Sequence, residues 1–192
     1  MKIGIDLDEV TAEFLVALSK FYHAKSGKLF KKEDFFSYNF WEIWEGTREE
    51  AIRITDEFHN SDYFNKILPV EKAIDSINSL IDSNEIIIIT SRPSIWKIKT
   101  EKWAKRYLLK STKIIYSGDF YEQGKTKAEL CIERGINLFI EDNGKYALEC
   151  ANLGIKVILF NQPWNQNIRH KNIIRVKGWN EAIKEINKIA KP

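Results

Sequence analysis

The chain is poor in cysteine, has no long apolar run and carries no excess of one charge. Each shortage removes a class of function. Only two cysteines occur in 192 residues, Cys131 and Cys150, and their separation matches no metal-ligand spacing. Both fall in helix-like stretches, so buried, reduced thiols in a cytoplasmic protein are expected. No hydrophobic segment approaches the roughly 20 residues that cross a bilayer, and no secretory signal precedes the first strand. A membrane is therefore not expected as a partner. Lys and Arg total 30 against 27 Asp and Glu, a net charge of +3. The basic residues are spread along helices, so stable nucleic-acid binding by bulk charge is not indicated, while a local basic site for an anionic substrate is allowed. His23, His59 and His170 show no ligand spacing and read as surface residues or as parts of an inserted segment. There is no internal repeat or low-complexity tract. What remains, 44% apolar and 30% charged, suits one globular domain or one core with a modest insertion. Oligomeric state stays open, a homodimer included.

From residue 70 onward, strand and helix alternate with short connections. Strands are expected over Glu85–Thr90, Lys113–Ser117, Leu138–Asp142 and Lys156–Phe160, with a short edge strand over Ile173–Val176. Helices are expected from Ser94 to Leu109, from Thr126 to Arg134 with Gly135 as terminator, through Leu153-Gly154, and from Trp179 to Ala190. This alternation predicts an α/β fold, a Rossmann-like, mostly parallel sheet with helices on both faces. The first strand is the apolar run Lys2-Ile3-Gly4-Ile5.

The connection after that strand is anomalous. The next strand starts near Glu85, far beyond the dozen or so residues a parallel crossover needs. Between them lie a candidate helix from Val10 to Lys25 and another from Thr47 to Phe58, the latter opened by Thr47 with Glu50 three residues on. An aromatic segment, Phe35 to Trp44, separates the two, and Val70–Ile81 reads as the helix that rejoins the core. The economical arrangement is a small helical cap of residues 15–69 inserted into a core of residues 1–14 and 70–192. The aromatic segment reads as the cap's own core or, for one or two rings, as a base-stacking surface. Phe14 and Phe21 divide the same way, between core and pocket wall. Trp164 and Trp179 read as packing the C-terminal segment over the sheet edge, and the loop Asn161–Asn165 has no evident role.

The chemistry sits at the strand ends. The first strand runs out in Asp6-Leu7-Asp8, two carboxylates where ligands of open α/β sheets bind. Carboxylates are seldom buried without a partner, so this pair points to a metal and a phosphate. The second strand ends Thr90-Ser91-Arg92-Pro93, a hydroxyl followed by free backbone N–H groups able to hold a phosphoryl oxygen. Arg92 is either a surface arginine before proline or a contact for the substrate's phosphate or sugar. The third strand leads into Gly118-Asp119 and then Gly124-Lys125-Thr126-Lys127, which places a lysine near a helix N-terminus. The next strand ends Ile140-Glu141-Asp142-Asn143. Mg²⁺ takes one or two carboxylates together with water and substrate phosphate, and Asp6, Asp142 and the Asp8 carbonyl would suit it.

Asp6-x-Asp8-x-Val10-Thr11, then Thr90 after an apolar strand, a lysine, and the acidic pair Glu141-Asp142 form an ordered series. In it the chain resembles the haloacid dehalogenase-like (HAD) phosphatases and, within them, the 5′(3′)-deoxyribonucleotidase group with its bacterial and phage relatives. The resemblance spans nearly the whole core. It implies Asp6 as nucleophile, Asp8 as general acid and base, and Thr90 and Lys127 as phosphate holders, with Ser91 and Arg92 beside them on the substrate. It also implies a Mg²⁺ cofactor held by Asp6, Asp8, Asp142 and, through water, Glu141. The substrate would be a small phosphate ester, with a nucleoside monophosphate foremost. Another small ester, a nucleic-acid 3′-phosphate end, or a binding module that kept the fold without catalysis are the alternatives. Lys127 lies 15 residues before Asp142, which fits the family spacing better than Lys125 does. Glu9 departs from the pattern: many relatives have glycine there, and it either adds charge beside the nucleophile or faces solvent.

Overall fold

The computed structural model describes residues 1–108, 112–118 and 124–190. Its strands are β1 (Lys2–Ile5), β2 (Glu85–Thr90), β3 (Lys113–Tyr116), β4 (Leu138–Glu141), β5 (Lys156–Phe160) and β6 (Ile173–Val176). Its helices are α1 (Phe14–Ser26), α2 (Phe40–Trp44), α3 (Arg48–Asn60), α4 (Ala73–Ile81), α5 (Lys97–Tyr107), α6 (Lys127–Glu133), α7 (Gly144–Asn152) and α8 (Trp179–Ile189). The strands form one sheet in the order β3-β2-β1-β4-β5-β6, and every pair in it is parallel. This is the expected α/β architecture.

Burial on both faces explains the strand sequences. Along β2, Ile86 and Ile88 enter one apolar cluster, while Ile87 and Ile89 enter the other. A period of two thus makes an unbroken isoleucine run the right pattern for a strand covered on both sides. At the centre of the sheet, a Cβ on Gly4 would come within 2.8 Å of the Ile136 and Phe139 side chains. Glycine there lets β1 lie close against β4, so the two acidic strand ends emerge side by side.

The helix expected from Val10 begins only at Phe14. The preceding residues are folded back instead, with the N–H groups of Thr11 and Ala12 donating to the Leu7 carbonyl. The two chain passes linking the insertion to the sheet are cross-bonded, Glu13 N–H to Leu68 O and Val70 N–H to Thr11 O. The helix expected from Val70 starts at Ala73. The segment expected as one helix from Ser94 opens with a 3₁₀ turn over Ser94–Trp96 before α5; Leu109, its expected end, lies outside the described residues, as does Asp119. Thr47 and Thr126 cap α3 and α6, each in a reciprocal box with the glutamate three residues on. The aromatic segment contains α2, a helix its sequence did not announce. Cys131 on α6 and Cys150 on α7 are both buried, free thiols.

Candidate active site

Three acids leave the end of β1, and each meets a different cation. Asp6, 5% exposed, receives a 2.7 Å hydrogen bond on Oδ1 from the Lys127 ammonium. Asp8 is gripped by Arg92, whose Nη2 donates to Oδ1 at 2.6 Å and whose Nε donates to Oδ2 at 2.9 Å. That guanidinium is itself buried, lies 5.1 Å from the Phe64 ring and 5.8 Å from the Phe14 ring, and donates to the Thr100 hydroxyl. Glu9 does not face solvent, as one of the two sequence readings allowed: it is 1% exposed. Its backbone is left-handed, with φ of 60°, a conformation that costs a non-glycine residue about 1–2 kcal/mol. Glu9 Oε1 accepts the Leu15 N–H at 2.8 Å in the first turn of α1. Its Oε2 lies 2.7 Å from Lys32 Nζ, an ion pair whose angles fall outside those of a directed hydrogen bond.

The end of β4 is built differently. Glu141 is fully buried; its Oε1 accepts the N–H groups of Asp142 and Asn143, and its Oε2 accepts from Lys127 at 2.8 Å. Asp142 is held by the loop after β5. Trp164 donates its indole N–H to Asp142 Oδ2 at 3.0 Å, and the Asn165 side-chain amide donates to the Asp142 carbonyl at 2.6 Å. Arg175 on β6 clamps Asn165 in turn, donating to its side-chain oxygen and to its backbone carbonyl. A Cβ on Gly144 would lie 2.4 Å from Ile168, so glycine at the start of α7 lets this loop close down on the strand end.

Carboxylate oxygens of Asp6, Glu141 and Asp142 all fall within 4.8 Å of one another. Burial, then repulsion from Glu141, pushes the Asp6 carboxyl up to about 8 despite the pull of Lys127. Burial, then the Glu141 and Asp6 carboxylates, raises Asp142 well above the carboxylate range. Burial works against the Lys127 charge, yet Asp6 and Glu141 outweigh it and hold the ammonium well above its usual value. Lysine alone thus leaves the cluster short of positive charge. A hard cation among oxygen donors is the partner this donor set fits. The Asp8 carboxylate, turned to Arg92, is not in the cluster; only its backbone carbonyl remains for a metal.

Asp6, Lys127 and Asp142 sit in the wall of a cavity of about 800 Å³, with Glu141 buried behind them. Its floor includes Asp6, Asp8, Ser91, Arg92, Lys127 and Asp142, and its roof comes from the insertion, with Phe36, Tyr38 and Trp41 among the lining residues. Thr90 lies deeper: it is buried, and its hydroxyl accepts the Arg92 N–H at 3.2 Å. Lys125 pairs with exposed Glu133, so Lys127 is the lysine that meets the strand ends. Three residues with a place here, Trp164, Asn165 and His59, are not assigned to the site by the sequence, and a fourth, Tyr38, comes from the aromatic segment expected to lend it a ring or two. Tyr38 packs edge-on against Trp164, and desolvation, then the Asp142, Glu9, Asp8 and Asp6 carboxylates, pushes its hydroxyl well up, so it stays a neutral donor. Trp164 and Asn165 orient Asp142. His59, on α3, is buried, stacks on Trp96 and lines the cavity. The pairing of Trp164 and Asn165 in one short loop after a core strand is the signal that could find those two; His59 carries none.

A parallel sheet whose central strand ends in Asp6-x-Asp8, with a buried lysine and a second acidic strand end beside it, defines a haloacid dehalogenase-like hydrolase, a phosphatase by reaction type. The model of the family described as 5′ nucleotidase, deoxy (pyrimidine), cytosolic type C protein matches residues 1–191, and the chain belongs to that family. The provisionally assigned nucleotidase YqfW of Bacillus subtilis is 29% identical over 191 residues, 97% of this chain and 94% of that protein. The haloacid dehalogenase-like hydrolase SP0104 of Streptococcus pneumoniae superposes with a TM-score of 0.71 at 14% identity, covering 96% of this chain and 97% of that one. A HAD-family hydrolase from Deinococcus radiodurans, solved with bound phosphate and sodium, gives 0.68 at 12% identity, covering 97% and 95%. Among the described residues no helix is long and apolar enough to cross a membrane.

Proposed function

We propose that this nucleotidase-family phosphatase is a Mg²⁺-dependent phosphomonoesterase that works through an aspartyl-phosphate and acts on (deoxy)nucleoside monophosphates. The observation that carries the reading is the convergence of Asp6, Lys127 and Asp142 in the wall of one cavity roofed by aromatic rings. Lys127 engages Asp6 Oδ1, which leaves Oδ2 to attack phosphorus in line. The ester P–O bond breaks as the Asp6 O–P bond forms, and Asp8 gives a proton to the departing alkoxide. Water then attacks the aspartyl-phosphate, Asp8 takes the water's proton, and inorganic phosphate leaves with Asp6 restored. The Arg92 grip fixes the orientation of the Asp8 carboxylate for both transfers. Lys127 and the Ser91 hydroxyl would hold the phosphoryl oxygens as charge redistributes. Asp6, Asp142 and the Asp8 carbonyl would hold Mg²⁺, with Glu141 reached through water; when bound, the ion offsets the negative charge shared by phosphate and carboxylates.

Residues 15–69 serve as the cap in this reading, excluding bulk water and offering rings to a base. The two buried free thiols suit a cytoplasmic location. The phosphate and sodium bound by the Deinococcus relative are in keeping with an anion and a cation sharing such a site. A panel of nucleoside monophosphates, sugar phosphates and 3′-phosphorylated oligonucleotides, with and without Mg²⁺, tests the proposal. The nucleoside monophosphates should be turned over best and only with the metal, and Asp6→Asn should reduce turnover on the order of a thousandfold or more. Undiminished phosphate release by Asp6→Asn would overturn it.

A further inference from the structure

Glu9 is a buried acid that the chemistry above does not use, held in a backbone conformation that suits glycine. Its two oxygens have separate duties. Oε1 accepts the Leu15 N–H at 2.8 Å and so caps α1, a helix whose own N-cap residue Glu13 makes no side-chain bond. Oε2 reaches Lys32 at 2.7 Å, on the 3₁₀ turn Lys32–Asp34 of the insertion. The Lys32 ammonium also lies 5.7 Å from the centre of the Trp164 ring, and six residues later Tyr38 packs edge-on against the same indole at 5.0 Å. That indole donates to Asp142. Residues 32–38 of the roof are therefore tied to the floor at two adjoining points, the loop after Asp8 and the loop after β5.

Resting on the phosphomonoesterase reading above, we propose that Glu9 is a positioning residue, whose carboxylate latches the roof segment carrying Lys32 onto the loop that carries Asp6 and Asp8. The latch fixes where Tyr38 and its aromatic neighbours stand above the reacting phosphate. It thus governs how the non-phosphate part of a substrate is seated, and it leaves the chemistry at phosphorus alone. A glycine at position 9 would adopt the same backbone without strain but would supply neither the cap to α1 nor the anchor for Lys32. Keeping a strained glutamate there is understandable if the anchor has a use.

The Lys32 side chain is 34% exposed, so Lys32→Met removes the charge without opening a cavity; denaturant unfolding registers the cost of leaving Glu9 unpaired, and Lys32→Arg serves as the conservative rescue. Each protein is assayed with a nucleoside monophosphate and with p-nitrophenyl phosphate, which has little to seat, and amide exchange is followed over residues 30–40. Lys32→Met should raise KM for the nucleotide by about tenfold with kcat nearly kept, while p-nitrophenyl phosphate hydrolysis changes by less than about twofold. Exchange over residues 30–40 should quicken, and Lys32→Arg should restore both properties. An equal loss of kcat on both substrates, or unchanged KM together with unchanged exchange, would overturn the latch. A wild-type protein inert toward every ester would instead defeat the phosphatase reading, and the exchange comparison would still decide whether Glu9 and Lys32 hold the roof down.

Discussion

The two acidic strand ends solve the problem of buried negative charge in opposite ways. The end of β1 disperses it: Asp6 goes to Lys127, Asp8 to Arg92 and Glu9 to Lys32, each cation arriving from a different element. The end of β4 turns inward, with Glu141 accepting from its own two following N–H groups and Asp142 fixed by Trp164 and Asn165. Dispersed pairs can be assigned separate tasks, because each acid answers to its own neighbour. An inward-folded end works as one preformed scaffold, in which no member can move alone. Lys127 joins the two through side chains, bonding Asp6 and Glu141 at once.

Removing that joint gives the largest expected effect. In Lys127→Met, buried Asp6, Glu141 and Asp142 face one another with no ammonium between them. Breaking a buried ion pair on one side costs about 3–5 kcal/mol. Denaturant unfolding in a chelator should show a loss of that size, and Mg²⁺ should recover part of it by binding the folded state alone. A loss below about 1 kcal/mol would mean that protonation of Asp6 already relieves the cluster, and that the two strand ends are less tightly joined than their geometry implies.

The next effect tests whether the β4 end is a scaffold for a metal. Trp164→Phe keeps a ring against Tyr38 and Lys32 but deletes the N–H that meets Asp142 Oδ2. Groups that orient a metal ligand are typically worth 10–100-fold in metal affinity. Calorimetric titration with Mg²⁺ should therefore show a fall of about tenfold or more, within that range. Equal affinity would reduce Trp164 to a packing residue and leave Glu141 and Asn165 to organise that end.

The same contrast separates the features that are legible in the amino-acid sequence from those that are not. Acids and the lysine at strand ends are legible because an apolar run that stops on a carboxylate leaves few alternatives, and because Asp6, Lys127 and Asp142 keep an ordered spacing. The sheet is legible for a related reason, since runs such as Glu85–Thr90 have only one comfortable environment. Partners supplied by distant segments are not. Nothing in Lys32-Glu33-Asp34 says that the lysine folds over Trp164, and nothing in Asn161–Asn165 says that the loop grips Asp142. The helix start expected at Val10 is misplaced because a left-handed Glu9 and the turn on Leu7 are tertiary choices that helical periodicity does not register.

His59 offers the smallest and most pH-specific test, and it lies on the dispersed side, beside Arg92. Its Nδ1 N–H donates to the Thr55 carbonyl at 2.7 Å, and its Nε2 is buried with no hydrogen-bond partner among the described residues. Burial first, then the nearby Arg92 guanidinium, lowers its pKa to about 4, with Lys99 acting the same way and Asp8 and the Thr55 bond opposing. The folded protein thus keeps this imidazole neutral where the unfolded chain would protonate it. Stability from this source is intact above pH 6.5, falls as the pH drops toward 4 and is fully lost below that. At pH 5 the loss should be about 2 kcal/mol, or roughly 2–4 °C of Tm per kcal/mol for a chain of this size. His59→Gln removes the titration, so the Tm gap between wild type and variant at pH 8 should narrow or reverse at pH 5. A gap that stays constant from pH 8 to 5 would show that neither burial nor the Arg92 guanidinium holds the imidazole neutral.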